Sequence, residues 1–218
     1  DAKVLTFGTD QTGLQGSNML YDIWDPVTGT HTTLTYEMHT DIFCSGAVID
    51  PFTDDIIIVG GDARPDGNIN GGVPFVHNFD YQTGELTTNP AGNLNFSRWY
   101  GTAITLADGK ILEIGGTDGA HKGVGTPELY TNGVGWKALP GANTPSIASD
   151  WWYPRAWLAS TGNVVGYTDF APGNSKNAVF SINPGGNGLT TDLGKTPFES
   201  LNYNPAIMFD KDKVLTID

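Results

Sequence analysis

A repeat of about fifty residues limits the folds that this chain can adopt. Short apolar runs rich in β-branched residues recur along the chain, and most of them end in glycine. Their spacing is roughly 50 to 55 residues, the range typical of proteins built from repeated four-stranded units. The runs are residues 4–8, 56–61, 110–116, 163–166 and 213–217.

A second element keeps the same spacing. Residues 25–29 (Asp-Pro-Val-Thr-Gly) and 80–84 (Asp-Tyr-Gln-Thr-Gly) start 55 positions apart, and both sequences are typical of tight turns between strands. In the third unit, Tyr130 and Trp136 stand six apart, where a kelch repeat has its aromatic pair. The Asp108-Gly109 turn precedes one of the apolar runs, which we interpret as the innermost strands of the repeats.

These patterns predict an all-β fold, a kelch-type β-propeller. We expect residues 1–218 to form a single partial domain of about four blades in a seven-bladed ring. A β-sandwich or a β-helix would also contain many short strands, but a β-helix repeats at a shorter period and a sandwich need not repeat. Because the chain begins and ends inside strand-like segments, we expect it to be cut at both ends. The remaining blades then belong to the same precursor or to another chain.

Composition excludes several classes of function. Eleven Lys and Arg against 24 Asp and Glu give a formal net charge of −13, which opposes binding to nucleic acid or to an anionic membrane. No apolar run is long enough to span a membrane as a helix. A single cysteine, Cys44, excludes an internal disulfide and a multi-cysteine metal site. Phosphate-loop, zinc-protease and serine-hydrolase motifs are absent from the sequence.

Two segments carry residues capable of chemistry. Residues 39–44 (His-Thr-Asp-Ile-Phe-Cys) and residues 98–100 (Arg-Trp-Tyr) each lie just before a predicted strand, one repeat apart. Equivalent places in adjacent blades lie near each other around the propeller axis. We therefore expect Cys44 and Tyr100 to be close together despite the 56 positions between them.

Both segments resemble the copper radical oxidases, the family of galactose oxidase and glyoxal oxidase. That family has a His-x-Asp-x-Phe-Cys segment and an Arg-x-Tyr segment, the latter followed by a strand like residues 108–116 here. The resemblance implies that Cys44 is joined by a thioether bond to the ring of Tyr100. It further implies that Tyr100 binds copper and carries a radical, so that both residues are catalytic.

The same resemblance implies the activity and the setting. Such an enzyme oxidises a primary alcohol or an aldehyde and reduces dioxygen to hydrogen peroxide. It would be secreted, and its partners would be this small-molecule substrate, dioxygen and the remaining blades.

The sequence also departs from the family. The axial tyrosine and the two histidine ligands come from later blades and are not in this chain. Its own histidines match no ligand position: His31, His39, His77 and His121. Galactose oxidase has a tryptophan after its Gly-Gly pair to shield the radical, where this chain has Thr117-Asp118. The aromatic residues that remain open for this role are Trp151, Trp152, Phe198 and Tyr203.

Simpler interpretations stay open for most of these residues. Cys44 could be a buried structural thiol. Arg98 could orient the site or an anionic substrate, or could pack along its stem over Trp99. For His39 and Asp41 we favour a structural role in the turn before the strand. The alternative for the whole chain is a non-catalytic kelch propeller that binds carbohydrate or protein, because a fold does not dictate an activity.

Overall fold

The computed structural model describes residues 3–8, 18–37, 40–63, 70–168, 176–198 and 205–217. Within them the fold is all-β and β-propeller-like, with antiparallel sheets that follow one another along the chain. The first sheet has the strand order β1-β2-β3, and three four-stranded sheets follow with β4–β7, β8–β11 and β12–β15. A two-stranded sheet of β16 and β17 comes last. No helix in the described ranges is long and apolar enough to cross a membrane.

The strands are short, and each sheet is a meander of neighbours in sequence. The bounds are β1 Val4–Phe7, β2 Asn18–Asp25, β3 Thr30–Glu37, β4 Gly46–Ile49, β5 Ile56–Val59, β6 Val76–Asp80, β7 Glu85–Thr88, β8 Trp99–Thr105, β9 Ile111–Thr117, β10 Glu128–Thr131, β11 Gly135–Ala138, β12 Arg155–Leu158, β13 Val164–Tyr167, β14 Ala178–Asn183, β15 Leu189–Lys195, β16 Ala206–Asp210 and β17 Lys213–Thr216. A 3-10 turn at Pro140–Ala142 and a five-residue helix α1 at Pro145–Ser149 lie between the third and fourth sheets.

The apolar repeat runs form β1, β5, β9, β13 and β17, and our interpretation of them as innermost strands is wrong. In each four-stranded sheet the run is the second strand, behind β4, β8 or β12. The sheets converge at those first strands, since β8 contacts both β4 and β12. A second strand has a neighbour along each edge and a packed sheet on its faces, which explains why β9 is buried at every residue.

The sheets stack face to face on apolar side chains. One cluster joins β5 and β6 to β9 and β10, and it includes Ile57, Val76, Ile111 and Tyr130. Two further clusters join the first sheet to the second and the third to the fourth. The core therefore lies between successive sheets, and burying this apolar surface is what holds them together.

The predicted turns are equivalent in the structure. Asp25 Oδ1 accepts hydrogen bonds from the amides of Val27 and Thr28, and the amide of Gly29 donates to the Asp25 carbonyl. The turn at Asp80 repeats this pattern through Gln82, Thr83 and Gly84. Both glycines have φ near +70° (72° and 75°), a conformation that glycine adopts without strain. The 55-residue step therefore corresponds to one sheet.

The glycine pairs that end the runs make room for the neighbouring sheet. The amide of Gly61 donates to the carbonyl of Arg98 at 3.0 Å, and the amide of Gly116 donates to the carbonyl of Trp151 at 2.8 Å. A Cβ atom on Gly60 would lie 2.3 Å from the Arg98 carbonyl oxygen. Only glycine permits this approach, so the motif reflects contact between sheets.

Candidate functional site

Three residues occupy equivalent places at the start of successive first strands. Cys44 lies two positions before β4, Tyr100 is the second residue of β8, and Tyr153 lies two positions before β12. Their φ angles are 59°, 65° and 39°. Left-handed conformations of this kind are uncommon for residues other than glycine and cluster at functional sites. The conformation turns three side chains out of the regular strand pattern at one place.

Main-chain hydrogen bonds join the three residues across the sheets. The amide of Tyr100 donates to the carbonyl of Cys44 at 2.9 Å, and the amide of Tyr153 donates to the carbonyl of Tyr100 at 3.0 Å. The indole N–H of Trp99 adds a further bond to the carbonyl of Phe43 at 3.2 Å. The positions of the side chains are thus set by the contact between sheets and not by a free loop.

The side chains of Cys44, Tyr100 and Tyr153 also meet. Burial raises the pKa of the Cys44 thiol above its ordinary value, whereas hydrogen bonds with the hydroxyls of Tyr100 and Tyr153 lower it. The nearby carboxylates of Asp62 and Asp41 raise it further. Both phenol hydroxyls therefore lie within hydrogen-bonding reach of the sulfur. A half-buried sulfur beside two phenols is the centre of the candidate site.

Tyr153 is the member of this group that the sequence analysis did not single out. Burial, followed by its proximity to Cys44, holds the pKa of the Tyr153 phenol well above its ordinary range. Its ring stands edge-on to that of Tyr100, with centroids 5.3 Å apart and an interplanar angle of 87°. Its place one repeat after Tyr100 is the sequence signal that could have found it.

Aromatic rings pack closely on Tyr100. The ring of Trp152 is stacked on it at 4.0 Å and 16°, and the ring of Trp99 lies tilted at 4.3 Å. Trp151 is farther away, at 5.9 Å. Phe198 instead packs against Tyr167, and Tyr203 lies outside the described residues. Of the aromatic residues left open by the sequence, Trp152 has the geometry of a shield for Tyr100.

Arg98 is buried and has a structural partner. Its guanidinium donates to the carbonyls of Gly115 and Thr126 at 2.5 and 2.6 Å, and to the carboxylate of Glu128 at 3.2 Å. With 1% of its surface exposed, it does not orient a substrate. The ion pair instead holds the segment that leads into Tyr100.

The residues before Cys44 have structural contacts. Asp41 exchanges two main-chain hydrogen bonds with Asp62, and its Oδ1 accepts a bond from the amide of Phe43 at 2.9 Å. These bonds shape the turn that leads to Cys44. His39 lies outside the described residues.

Glu113 is a buried carboxylate beside the site. It lies on the otherwise apolar strand β9 and is fully buried. Neither carboxylate oxygen has a hydrogen-bond partner in the described part of the chain. Burial raises its pKa from 4.5 to about 8, an effect that the charge of Arg98 partly offsets. A charged residue inside an apolar run was the available sequence signal for this position.

The residues present would supply one ligand of a copper site. The Tyr100 phenol is an oxygen donor next to a sulfur, and a phenol in such a place can bind copper once it has lost its proton. Among the described residues, no group of three or more His, Cys, Asp or Glu side chains is arranged to hold a metal ion.

A cavity of about 360 Å³ lies between the first strands next to this group. It is lined by the ends of three sheets, including Ser45, Gly101, Tyr153 and Trp157. Tyr153 is the member of the site that borders it. The site thus has open space on the side where the first strands converge.

Comparisons with known proteins find oxidases that resemble this chain in sequence or in fold. Two galactose oxidase sequences from Gibberella zeae are each 26% identical over 142 residues, which is 63% of this chain and 19% of the relative. A novel fungal alcohol oxidase of the AA5 family, solved in complex with copper, superposes with a TM-score of 0.72 at 22% identity, covering 95% of this chain and 42% of that one. No family model matches the sequence.

Other structural neighbours show the breadth of the fold. YjhT superposes with a TM-score of 0.57 at 12% identity, covering 89% of this chain and 65% of that one. At this identity, likeness extends to the fold alone. Taken together with the galactose oxidase matches, the comparisons support a galactose oxidase-like family for this chain, which spans less than half the length of its oxidase relatives.

Proposed function

We propose that this chain is part of the catalytic domain of an extracellular copper radical oxidase with a kelch-type propeller. The enzyme would oxidise a primary alcohol or an aldehyde and reduce dioxygen to hydrogen peroxide. In this proposal Cys44 and Tyr100 form a thioether cross-link, and the modified Tyr100 is both a copper ligand and the carrier of a radical. The observation that carries the proposal is that a main-chain hydrogen bond of 2.9 Å joins Tyr100 to Cys44 across two sheets and leaves the thiol and the phenol within hydrogen-bonding reach.

This proximity supports a cross-link because of where it places the sulfur. The ring carbon next to the phenol oxygen is the atom that a thioether joins, and a sulfur within hydrogen-bonding reach of the hydroxyl is close to that carbon. The main-chain bond from Tyr100 to Cys44, 2.9 Å long, holds the two residues in this relationship. A thioether donates electron density to the ring, which makes the phenol easier to oxidise.

Copper and the radical together would accept two electrons from the substrate. This chain's own residues would hold and shield the tyrosine that takes part. Trp152 covers the ring of Tyr100 by stacking at 4.0 Å, which limits access of water to it. Trp99 packs on the same ring at 4.3 Å and is itself buried. A rigid, water-poor surrounding favours a radical that persists between turnovers.

Peptide mapping of the full-length protein after exposure to copper and air tests the proposal. We expect the peptides containing Cys44 and Tyr100 to remain linked in the presence of reducing agent, with the loss of two hydrogen atoms from the intact mass. Cys44→Ser is the matched control, since it keeps the size of the side chain and removes the sulfur. A free, alkylatable Cys44 peptide in the copper-loaded protein would instead favour the non-catalytic binding domain.

A further inference from the structure

We propose that Tyr153 is a positioning residue for the cross-link, in that its hydroxyl holds the Cys44 sulfur against the ring of Tyr100. This inference rests on the proposed function, because it concerns how the thioether forms. It adds a third residue to the pair that the family resemblance implies, and it assigns that residue a specific hydrogen bond.

The first observation is that one sulfur faces two phenols. The hydroxyls of Tyr100 and Tyr153 both lie within hydrogen-bonding reach of the Cys44 sulfur, and they approach it from two different sheets. The two phenol rings are nearly perpendicular, with centroids 5.3 Å apart. A donor from Tyr153 therefore limits the rotation of the Cys44 side chain and keeps the sulfur beside Tyr100.

The second observation is that Tyr153 is itself held firmly. Its amide donates to the Tyr100 carbonyl at 3.0 Å, and its backbone adopts φ of 39°. Strained backbone of this kind persists where the surroundings over-determine it. The phenol of Tyr153 is thus fixed relative to Tyr100 by the main chain, and relative to Cys44 by the hydroxyl.

The reaction that Tyr153 would assist is the formation of the thioether, and its atoms and electrons balance as follows. The S–H bond of Cys44 and one C–H bond of the Tyr100 ring break, and a C–S bond forms. Two electrons and two protons leave the protein and reduce one dioxygen to hydrogen peroxide in the presence of copper. Tyr153 keeps its proton throughout, so its role is to aim the sulfur and not to transfer a proton.

Positioning also protects the sulfur. Cys44 is half-buried, and a thiol that is free to rotate in air is open to stepwise oxidation to sulfenic and sulfinic acid. Holding the sulfur at the ring favours bond formation over this side reaction. Loss of the Tyr153 hydroxyl should therefore change both the rate of cross-linking and the products formed at Cys44.

The test compares Tyr153→Phe with wild type in the full-length protein. Reduced protein is mixed with copper in air, samples are quenched at intervals, and intact mass and peptide maps follow the two products. We expect Tyr153→Phe to cross-link about five- to thirtyfold more slowly, the range that corresponds to losing one well-placed hydrogen bond, and to accumulate oxidised Cys44. Tyr130→Phe is the matched control, because it removes a buried phenol hydroxyl that packs against Trp136, away from Cys44.

Each outcome separates the two proposals. If wild type cross-links and Tyr153→Phe does so at the same rate and with no more oxidised Cys44, the positioning role is overturned and the oxidase proposal stands. If wild type itself never loses two hydrogen atoms, both proposals fall. If Tyr153→Phe and Tyr130→Phe both slow cross-linking to the same extent, the loss of rate is due to altered packing. That result would also overturn the inference.

Discussion

The carboxylate of Glu113 occupies the space that a side chain at Gly101 would fill. A Cβ atom added to Gly101 would lie 2.0 Å from Glu113 Oε1, and one added to Gly46 would lie 3.4 Å from Oε2. The carboxylate is thus enclosed between the first strands of two sheets. Gly101 follows the candidate ligand Tyr100, so packing at Glu113 bears on the geometry of the site.

This relationship predicts strong coupling between positions 101 and 113. Gly101→Ala should lower the free energy of unfolding by about 1–3 kcal/mol because of the overlap. In the double variant Gly101→Ala/Glu113→Ala, the loss should be smaller than the sum of the single losses, by about 0.5–3 kcal/mol. Urea unfolding measures all three, with Gly8→Ala as control, since an added Cβ there meets no atom within 4 Å. Additive losses would contradict the overlap.

Glu113 should also make stability depend on pH between about 4.5 and 8. Its pKa is raised by burial from 4.5 to about 8, so the folded protein keeps the proton over a range in which the unfolded chain releases it. The free energy of unfolding should therefore fall as pH rises from 4.5 to 8, by an amount on the order of a few kcal/mol. Glu113→Gln should flatten this fall in urea titrations at fixed pH values. A variant whose pH profile parallels wild type would show that Glu113 is not the cause.

His77 should make the folded protein less stable at acid pH. It is buried on β6, neither ring nitrogen has a hydrogen-bond partner in the described ranges, and burial lowers its pKa from 6.5 to about 4. Below pH 6.5 the unfolded chain binds a proton that the folded protein resists, so stability should fall as pH drops from 6.5 through 4. His77→Met should remove this acid limb, while Glu113→Gln should retain it. Thermal unfolding across this pH range would show the difference, and an unchanged limb in His77→Met would refute the assignment.

The Arg98–Glu128 ion pair should be a major element of stability. Both side chains are buried, and Glu128 also accepts bonds from the amides of Asn95 and Phe96. Arg98→Met leaves a buried carboxylate without its cation and should cost about 3–5 kcal/mol. For comparison, Lys110→Ala disrupts a surface pair with Asp108 and should cost about 0–1 kcal/mol. Chemical denaturation of the two variants would contradict this prediction if their losses were equal.

Trp152 should prolong the lifetime of the proposed radical. Because its ring stacks on Tyr100 at 4.0 Å, Trp152→Leu removes the cover while leaving Cys44 and Tyr100 in place. In the copper-loaded full-length protein, we expect the radical absorption of Trp152→Leu to decay at least tenfold faster, which corresponds to about 1.4 kcal/mol of lost stabilisation. Trp136→Leu is the control, since Trp136 packs on Tyr130. If the radical decays at the same rate in wild type and in Trp152→Leu, then Trp152 does not shield it.

The repeat predicted more of the fold than of the site. Its step located the apolar strands and the turns at Asp25 and Asp80, because those depend on local sequence. The repeat does not show that the apolar run of β9 is the second strand of its sheet. Spacing along the chain does not say how far a strand lies from the point where the sheets converge. Tyr153 and Glu113 escaped attention for a related reason. Their importance depends on which side chains a neighbouring sheet brings close, and a single sequence does not contain that distance.

Cys44, Tyr100 and Tyr153 share a left-handed backbone conformation that costs stability, but their side chains are the ones that the proposed chemistry needs. Glycine would adopt these φ values without strain, whereas each of these three residues carries a conformational penalty of about 1–3 kcal/mol. A lineage that kept this architecture but lost its activity would be free to relax toward glycine or asparagine at all three positions. Glycine at these three positions would remove the strain, but it would also remove every side chain that the proposed cross-link and its positioning need.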